Sequence, residues 1–119
     1  MRVMVIGASN NRAKFGNKAV RAYRRQNHEV IPINPNEDEI EGFRSYASVL
    51  NVPGQIDRAL FYVQPEIGIT IVDELAQRGK VDEIWLNPGA ESQELVIRAR
   101  ELGFDPILAC SIIDIGERP

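Results

Sequence analysis

The order of apolar and helical segments along the chain predicts an α/β fold with a mainly parallel sheet. Short continuous apolar runs alternate with segments of helical periodicity, which is typical of parallel strands joined by crossover helices. The chain has 119 residues, which is enough for one domain with its own core. We therefore expect a single Rossmann-like domain over residues 1–119, with a five-stranded sheet and helices on both of its faces.

The first half of the chain supplies two strands and one helix. Val3–Ile6 is a continuous apolar run, as expected for a strand covered on both faces. A helix is predicted from about Gly16–Gln26, where apolar residues recur at helical spacing. The second strand is predicted at Glu29–Asn34 and is ended by a proline turn. Residues 37–56 show no regular pattern beyond a helical turn near residues 47–50.

The second half repeats the alternation of strand and helix. A strand is predicted at Ala59–Val63, and the helix at Pro65–Arg78 starts on a proline, which the first helical turn tolerates. The fourth strand is expected at Glu83–Leu86, followed by a helix at Glu91–Leu102. A short fifth strand is predicted at Pro106–Ala109.

Composition favours a cytoplasmic protein without a membrane segment. The chain is 44% hydrophobic and 26% charged, which is ordinary for a globular domain. No apolar run reaches the roughly 20 residues that span a bilayer, and no signal peptide is visible. The single cysteine, Cys110, excludes an internal disulfide.

Charge is distributed unevenly along the chain. The first 28 residues carry seven Lys and Arg residues and no acid, although the net charge is −3. This segment is either a solvated basic helix or the source of a positive field that suits an anionic ligand. A nucleic-acid partner is not expected, because no stripe of basic and aromatic residues continues beyond Arg25.

Unusual residues gather where four of the predicted strands end. In a parallel sheet the ligand site lies beyond the carboxyl ends of the strands. Each exit there carries a small residue, a proline or an amide, which gives exposed backbone donors and rigid turns. The four exits read Gly7-Ala8-Ser9, Asn34-Pro35-Asn36, Tyr62-Val63-Gln64-Pro65 and Asn87-Pro88-Gly89-Ala90.

The first exit, within VMVIGASNNRAKFGN at residues 3–17, has the features of a phosphate-binding turn. Gly7 permits a tight turn, and Ser9 offers a hydroxyl and a backbone N–H. Gly16 opens a helix whose dipole favours an anion, and Lys14 with Arg12 would complete a diphosphate clamp, with Lys18 as a further candidate. The alternative is that the polar residues only cap a turn while the cations are solvated.

The end of the second strand bears on the identity of the nucleotide. Proteins of this fold that bind NAD usually place an acidic residue there for the ribose 2′-hydroxyl, and those that bind NADP place an arginine nearby. Here the position is Asn34, and the nearest downstream arginine is Arg44. The second glycine of the turn also comes too late for the G-x-G-x-x-G fingerprint. An NAD(P)-binding oxidoreductase, or another nucleotide-dependent enzyme, is therefore the alternative and not the leading functional hypothesis.

Taken together, these motifs resemble the small CoA-binding proteins, stand-alone relatives of the N-terminal domain of the succinyl-CoA synthetase alpha subunit. The matching features run in order over nearly the whole chain: VIGASNN with Lys14 and Gly16, an Asn-Pro exit leading to Ile40-x-Gly42 and a tyrosine, FYVQPE, EIWLNPGA and Cys110. One departure is Phe15, which stands where many relatives have a proline.

The resemblance implies a domain that binds coenzyme A, or acyl-CoA, through its ADP and diphosphate portion. Its phosphates would face the turn after the first strand, and the remaining exits would border the nucleotide, line the adenine or pantetheine path and close the site. The phosphates would face Gly7, Ala8, Ser9 and Lys14, and Asn34 and Pro35 would border the nucleotide. Val63 and Pro65 would line the adenine or pantetheine path, and Gly89 and Ala90 would close the site.

No catalytic constellation stands out in the sequence. The single histidine, His28, is expected at the helix end opposite the strand exits, and one His with one Cys cannot form an ordinary zinc site. We expect a sensor, carrier or regulatory module, either homodimeric or bound to an unknown partner. Cys110 is expected to be a small buried residue, with a mixed disulfide to CoA as the alternative. A partner protein whose nucleotide pocket has decayed is the third hypothesis.

Overall fold

The computed structural model describes residues 1–119 and contains a four-stranded parallel sheet in the order β2-β1-β5-β6. None of its helices is both long enough and apolar enough to cross a membrane. In chain order the elements are β1 (Arg2–Ile6), α1 (Phe15–Arg25), β2 (Glu29–Ile33), β3 (Glu39–Ile40), β4 (Phe43–Arg44), a 3₁₀ helix (Val49–Asn51), β5 (Ile56–Phe61), α2 (Pro65–Arg78), β6 (Val81–Leu86), α3 (Gln93–Glu101) and α4 (Ser111–Asp114).

The sheet is covered on both faces, which confirms the predicted α/β layers. Successive side chains of a strand point to opposite faces. Met4 and Ile6 therefore pack with residues of α2 and α3, whereas Val3 and Val5 pack with residues of α1 and α4. All four of these β1 side chains are at most 1% exposed, as the continuous apolar run predicted.

The prediction of a fifth strand at Pro106–Ala109 is wrong. Only Ile107 pairs with β6: its N–H donates to the Ile84 carbonyl and its carbonyl accepts from the Leu86 N–H, both at 2.8 Å. Pro106 has no N–H to extend the ladder, and the chain leaves the sheet edge to begin α4 at Ser111. The parallel sheet therefore has four strands instead of five.

Residues 37–56, for which no regular strand was predicted, contain the antiparallel hairpin β3–β4. Its two-residue turn has positive φ at both central positions, 50° at Glu41 and 83° at Gly42, as a type I′ turn requires. Asn-Gly is the usual sequence of such a turn, so the Glu41-Gly42 pair was only a weak indication of a hairpin in the sequence. The expected helical turn near residues 47–50 is the 3₁₀ helix, capped by Ser48, whose Oγ accepts from the Leu50 N–H at 3.1 Å.

Candidate functional site

A cleft of about 1080 Å³ opens at the carboxyl edge of the sheet, above β1 and β5 and beside α1 and α2. It receives residues from all four strand exits that the sequence singled out. Ten of the twelve sequence-predicted contact residues line it: Gly7, Ala8, Ser9, Lys14, Gly16, Asn34, Pro35, Val63, Gly89 and Ala90. The other two, Arg12 and Pro65, do not line the cleft; Arg12 pairs with Glu41, and Pro65 is the first residue of α2.

Two glycines allow α1 to begin close to the sheet edge. Gly7 has φ of 87°, and a Cβ placed on it would lie only 2.7 Å from the Tyr62 carbonyl oxygen. A Cβ on Gly16 would overlap the Gly7 carbonyl oxygen, which belongs to rigid backbone. A larger side chain at either position would therefore push the first turn of α1 away from the exits of β1 and β5.

The close approach leaves backbone donors facing the cleft. The N–H groups of Ala8, Ser9, Phe15 and Gly16 have no hydrogen-bond acceptor within the chain, and all four residues line the cleft. Unsatisfied N–H groups and the positive end of the helix dipole make a helix N-terminus a binding site for anions. The Lys14 side chain, also on the cleft lining, adds a positive charge beside them.

The turn that carries these donors is held in place by the β3–β4 hairpin. Buried Asn17 donates to the Ser9 carbonyl at 2.8 Å and to the Glu41 carboxylate at 3.2 Å. The Glu41 carboxylate also pairs with Arg12 and with Arg24, each at 3.4 Å. The hydrogen bond from Asn17, aided by these guanidinium charges, lowers the pKa of Glu41. The hairpin thus holds the loop between β1 and α1 in place through the ion-paired carboxylate of Glu41.

Most of the positive charge of the N-terminal segment is neutralised by acids that come later in the chain. Besides the two arginines on Glu41, Arg2 pairs with Glu29 at 2.9 Å and Arg25 with Glu117 at 2.8 Å. Lys14 has no ion pair, and it is the only Lys or Arg on the cleft lining. Lys18 and Arg21 also lack an ion pair, but neither lines the cleft, so on the lining the positive charge expected from the sequence comes from Lys14 alone.

Asn34 joins the exits of β1 and β2. Its Nδ2 donates to the Ala8 carbonyl at 2.8 Å, and its Oδ1 accepts from the Asn36 N–H at 2.8 Å. Both polar ends of the side chain therefore have partners in the protein. The next acid along the chain, Glu37, accepts from the Asn10 amide at 2.9 Å. No acidic residue from this strand end lines the cleft.

The opposite end of the cleft is built on a buried hydrogen-bond network that sequence reasoning missed. Asn87 is 2% exposed; its Oδ1 accepts from both the N–H and the hydroxyl of Ser111 at 2.9 Å, and its Nδ2 donates to the Phe61 carbonyl at 3.0 Å. The Tyr62 hydroxyl lies 2.9 Å from Ser111 Oγ, and burial raises the pKa of Tyr62 well above its usual value of 10. These contacts fasten α4 to the strand exits.

Apolar side chains and one thiol complete the lining. Phe15, Ile67 and Ile113 are 54–61% exposed, although each is large and apolar. Cys110, expected to be buried, is only partly buried and lies on the cleft lining. The arrangement suits a ligand with an anionic portion at the start of α1 and an apolar body along the walls.

Comparison with known proteins identifies similar domains in CoA ligases. The acetate–CoA ligase (ADP-forming) II subunit alpha of Pyrococcus furiosus is 29% identical over 112 residues, 86% of this chain and 24% of the relative. The ADP-forming acetate–CoA ligase of Methanocaldococcus jannaschii is 32% identical over 73% of this chain and 12% of the relative. The chain thus spans at most about a quarter of the length of these two ligases.

A solved structure matches along its full length. A conserved hypothetical protein from Pyrococcus furiosus is 33% identical, with a TM-score of 0.88 over 95% of this chain and 97% of that one. The family model described as the CoA binding domain matches residues 1–115. The chain therefore belongs to the CoA-binding domain family, as its sequence motifs suggested.

Proposed function

We propose that the cleft binds coenzyme A or acyl-CoA, and that the domain acts in the cytoplasm as a non-catalytic sensor, carrier or regulatory module. The observation that carries this proposal is that four unpartnered backbone N–H groups, two from the turn after β1 and two from the first turn of α1, lie with Lys14 on the lining of the cleft. A diphosphate satisfies these donors. Membership of the CoA-binding domain family and the similarity to ADP-forming CoA ligases support the choice of ligand.

The diphosphate would lie on the turn formed by Gly7, Ala8 and Ser9 and on the first turn of α1 at Gly16. Pro35 would border the nucleotide beside Asn34, whose own amide fixes the two strand exits to each other. Val63 lies at the middle of the path, and Gly89 and Ala90 close its far end. Neither Arg12 nor Pro65 lines the cleft, so the clamp role inferred for Arg12 from the charge of the loop and the role implied for Pro65 by the resemblance remain predictions.

The titratable side chains of the cleft support binding more than reaction chemistry. They are Lys14, Tyr62, Glu74 and Cys110. The Tyr62 hydroxyl is engaged by Ser111, and its raised pKa keeps it protonated at neutral pH. His28 lies away from the cleft, with its Nδ1 3.0 Å from the amino group of Met1.

Isothermal titration calorimetry with CoA, acetyl-CoA, ADP, NAD and NADP tests the proposal. We expect micromolar binding of CoA and weaker binding of NAD and NADP. Lys14→Ala should weaken CoA binding about tenfold, because it removes a charge-assisted contact to phosphate. The matched control is Arg100→Ala, since Arg100 is an exposed cation on α3 and lies outside the cleft lining. Binding of NAD without binding of CoA would favour the oxidoreductase hypothesis instead.

A further inference from the structure

The cleft extends from the sheet edge into a slot along α2. Ile67, Ile71 and Glu74 occupy one face of that helix, because residues three and four apart lie above one another. Ala47 and Val49, from the segment before β5, also line the cleft, and the 3₁₀ helix of that segment packs against α2. From the start of α2, Glu74 lies about 14 Å along the helix axis. Apart from Ser48 and Gln64, the lining residues of these two segments are apolar until Glu74, whose carboxylate lies at the far end of the slot.

Glu74 has no partner within the chain, although cations lie near it in sequence. Arg78, one turn later on α2, donates instead to the carbonyls of Val52 and Gly54, both at 2.7 Å. The adjacent Asp73 pairs with Arg98 at 2.8 Å. Glu74 is therefore a partly buried carboxylate without a donor, and it is the only Asp or Glu side chain on the cleft lining.

An unpaired carboxylate is unfavourable in a cleft that binds phosphate, unless the ligand itself brings a hydrogen-bond donor to it. Glu74 lies about 14 Å along α2 from the strand exits that carry the phosphate-binding turn, so the ligand group that reaches it must be joined to the phosphates by an apolar portion that fits the slot. A purine base has this form, and adenine carries an amino group at C6 that can donate.

We infer that the slot takes the base of the bound nucleotide and that Glu74 accepts a hydrogen bond from the 6-amino group of adenine. The inference rests on the proposed function, because it requires the diphosphate at the start of α1. A carboxylate can only accept. The cleft therefore selects adenine over hypoxanthine: hypoxanthine carries at C6 an acceptor oxygen, which the carboxylate repels, and its donor on this edge, N1–H, lies at a different position from the amino group of adenine.

Calorimetry with ADP and IDP, which differ at C6 of the purine and in the protonation of N1, tests this inference. The wild-type chain should bind ADP about tenfold more tightly than IDP, or better. In Glu74→Gln the side-chain amide can accept from adenine or donate to hypoxanthine. The ratio of the two affinities should then fall close to one, mainly because IDP binding improves. Glu94→Gln is the control, since Glu94 is exposed on α3 and outside the cleft lining.

The outcomes separate the inference from the proposed function. Equal binding of ADP and IDP by the wild type, or an unchanged ratio in Glu74→Gln, would overturn the inference while CoA binding still stood. Failure of the wild type to bind CoA and ADP would overturn both. Glutamine has a helix propensity close to that of glutamate, so the variant should remain folded.

Discussion

The two ends of the cleft are built in opposite ways. At the start of α1, backbone N–H groups of residues that line the cleft have no partners, and two glycines keep the surrounding backbone close. At the exit of β6, the polar groups of Asn87, Ser111 and Tyr62 satisfy one another. The first end has hydrogen-bonding capacity left for a ligand, whereas the second has used its capacity to hold the fold together. An anionic ligand should therefore depend on the first end for affinity, and the protein should depend on the second for stability.

Gly16→Ala should give the largest effect, because it forces the start of α1 away from the sheet. The new Cβ would overlap the Gly7 carbonyl oxygen, and backbone cannot rotate aside as a side chain can. We expect a loss of about 3 kcal/mol in the free energy of unfolding and loss of ADP binding in the remaining folded protein. Urea unfolding and calorimetry would measure the two effects.

Gly68→Ala is the matched control for this substitution, since Gly68 is also a buried helical glycine. Its added Cβ would meet the end of the Leu95 side chain at 2.9 Å, which can move. The gain in helix propensity, roughly 1 kcal/mol, should offset most of that cost. Equal stability of the Gly16 and Gly68 variants would contradict the close contact between α1 and the sheet.

Asn87→Ala should separate stability from binding. It leaves the Phe61 carbonyl and the Ser111 N–H buried without their partner, at a cost of about 2 kcal/mol. Because these groups do not belong to the phosphate-binding turn, ADP affinity should change little at temperatures where the variant is folded. Asn51→Ala, which removes an exposed side-chain amide, is the control and should leave the free energy of unfolding nearly unchanged. A variant as stable as the wild type, or one that loses ADP binding while folded, would refute this division of roles.

Glu41→Gln should have the smallest effect, and the effect should depend on pH. The pKa of Glu41 is lowered in the folded protein from an ordinary value of 4.5. Its ionised form therefore stabilises the fold fully above about pH 4.5, and this contribution is lost as the pH falls through the lower folded-state pKa. The variant keeps an acceptor for Asn17 but loses the charge.

We expect Glu41→Gln to be less stable than the wild type by about 1 kcal/mol at pH 7, with the difference disappearing in acid. Urea unfolding between pH 3 and pH 7 would measure it. Glu39→Gln, at an exposed residue of the same hairpin, should show no such pH-dependent difference. A destabilisation of Glu41→Gln that is equal at all pH values would mean that its charge does not hold the loop.

The two ends of the cleft also differ in how well the sequence predicted them. The turn at Gly7 and Gly16, the Asn-Pro exit and the crossover helices depend on short stretches of sequence, and their positions could be predicted from local patterns. The network of Asn87 with Ser111 joins residues 24 positions apart, and no local pattern indicates that pairing. The fifth strand was predicted from an apolar run that has the composition of a strand but only one residue, Ile107, able to pair.

The central claim is that backbone amides at the start of α1 hold the diphosphate of a CoA-type ligand. The most direct measurement is a titration of ¹⁵N-labelled protein with ADP and with CoA, followed by amide ¹H–¹⁵N correlation spectra. The account predicts that the largest shifts belong to the amides of Ala8, Ser9, Phe15 and Gly16, and that both ligands produce them. Saturable binding that leaves these four amides unmoved, or no binding of either ligand, would contradict it.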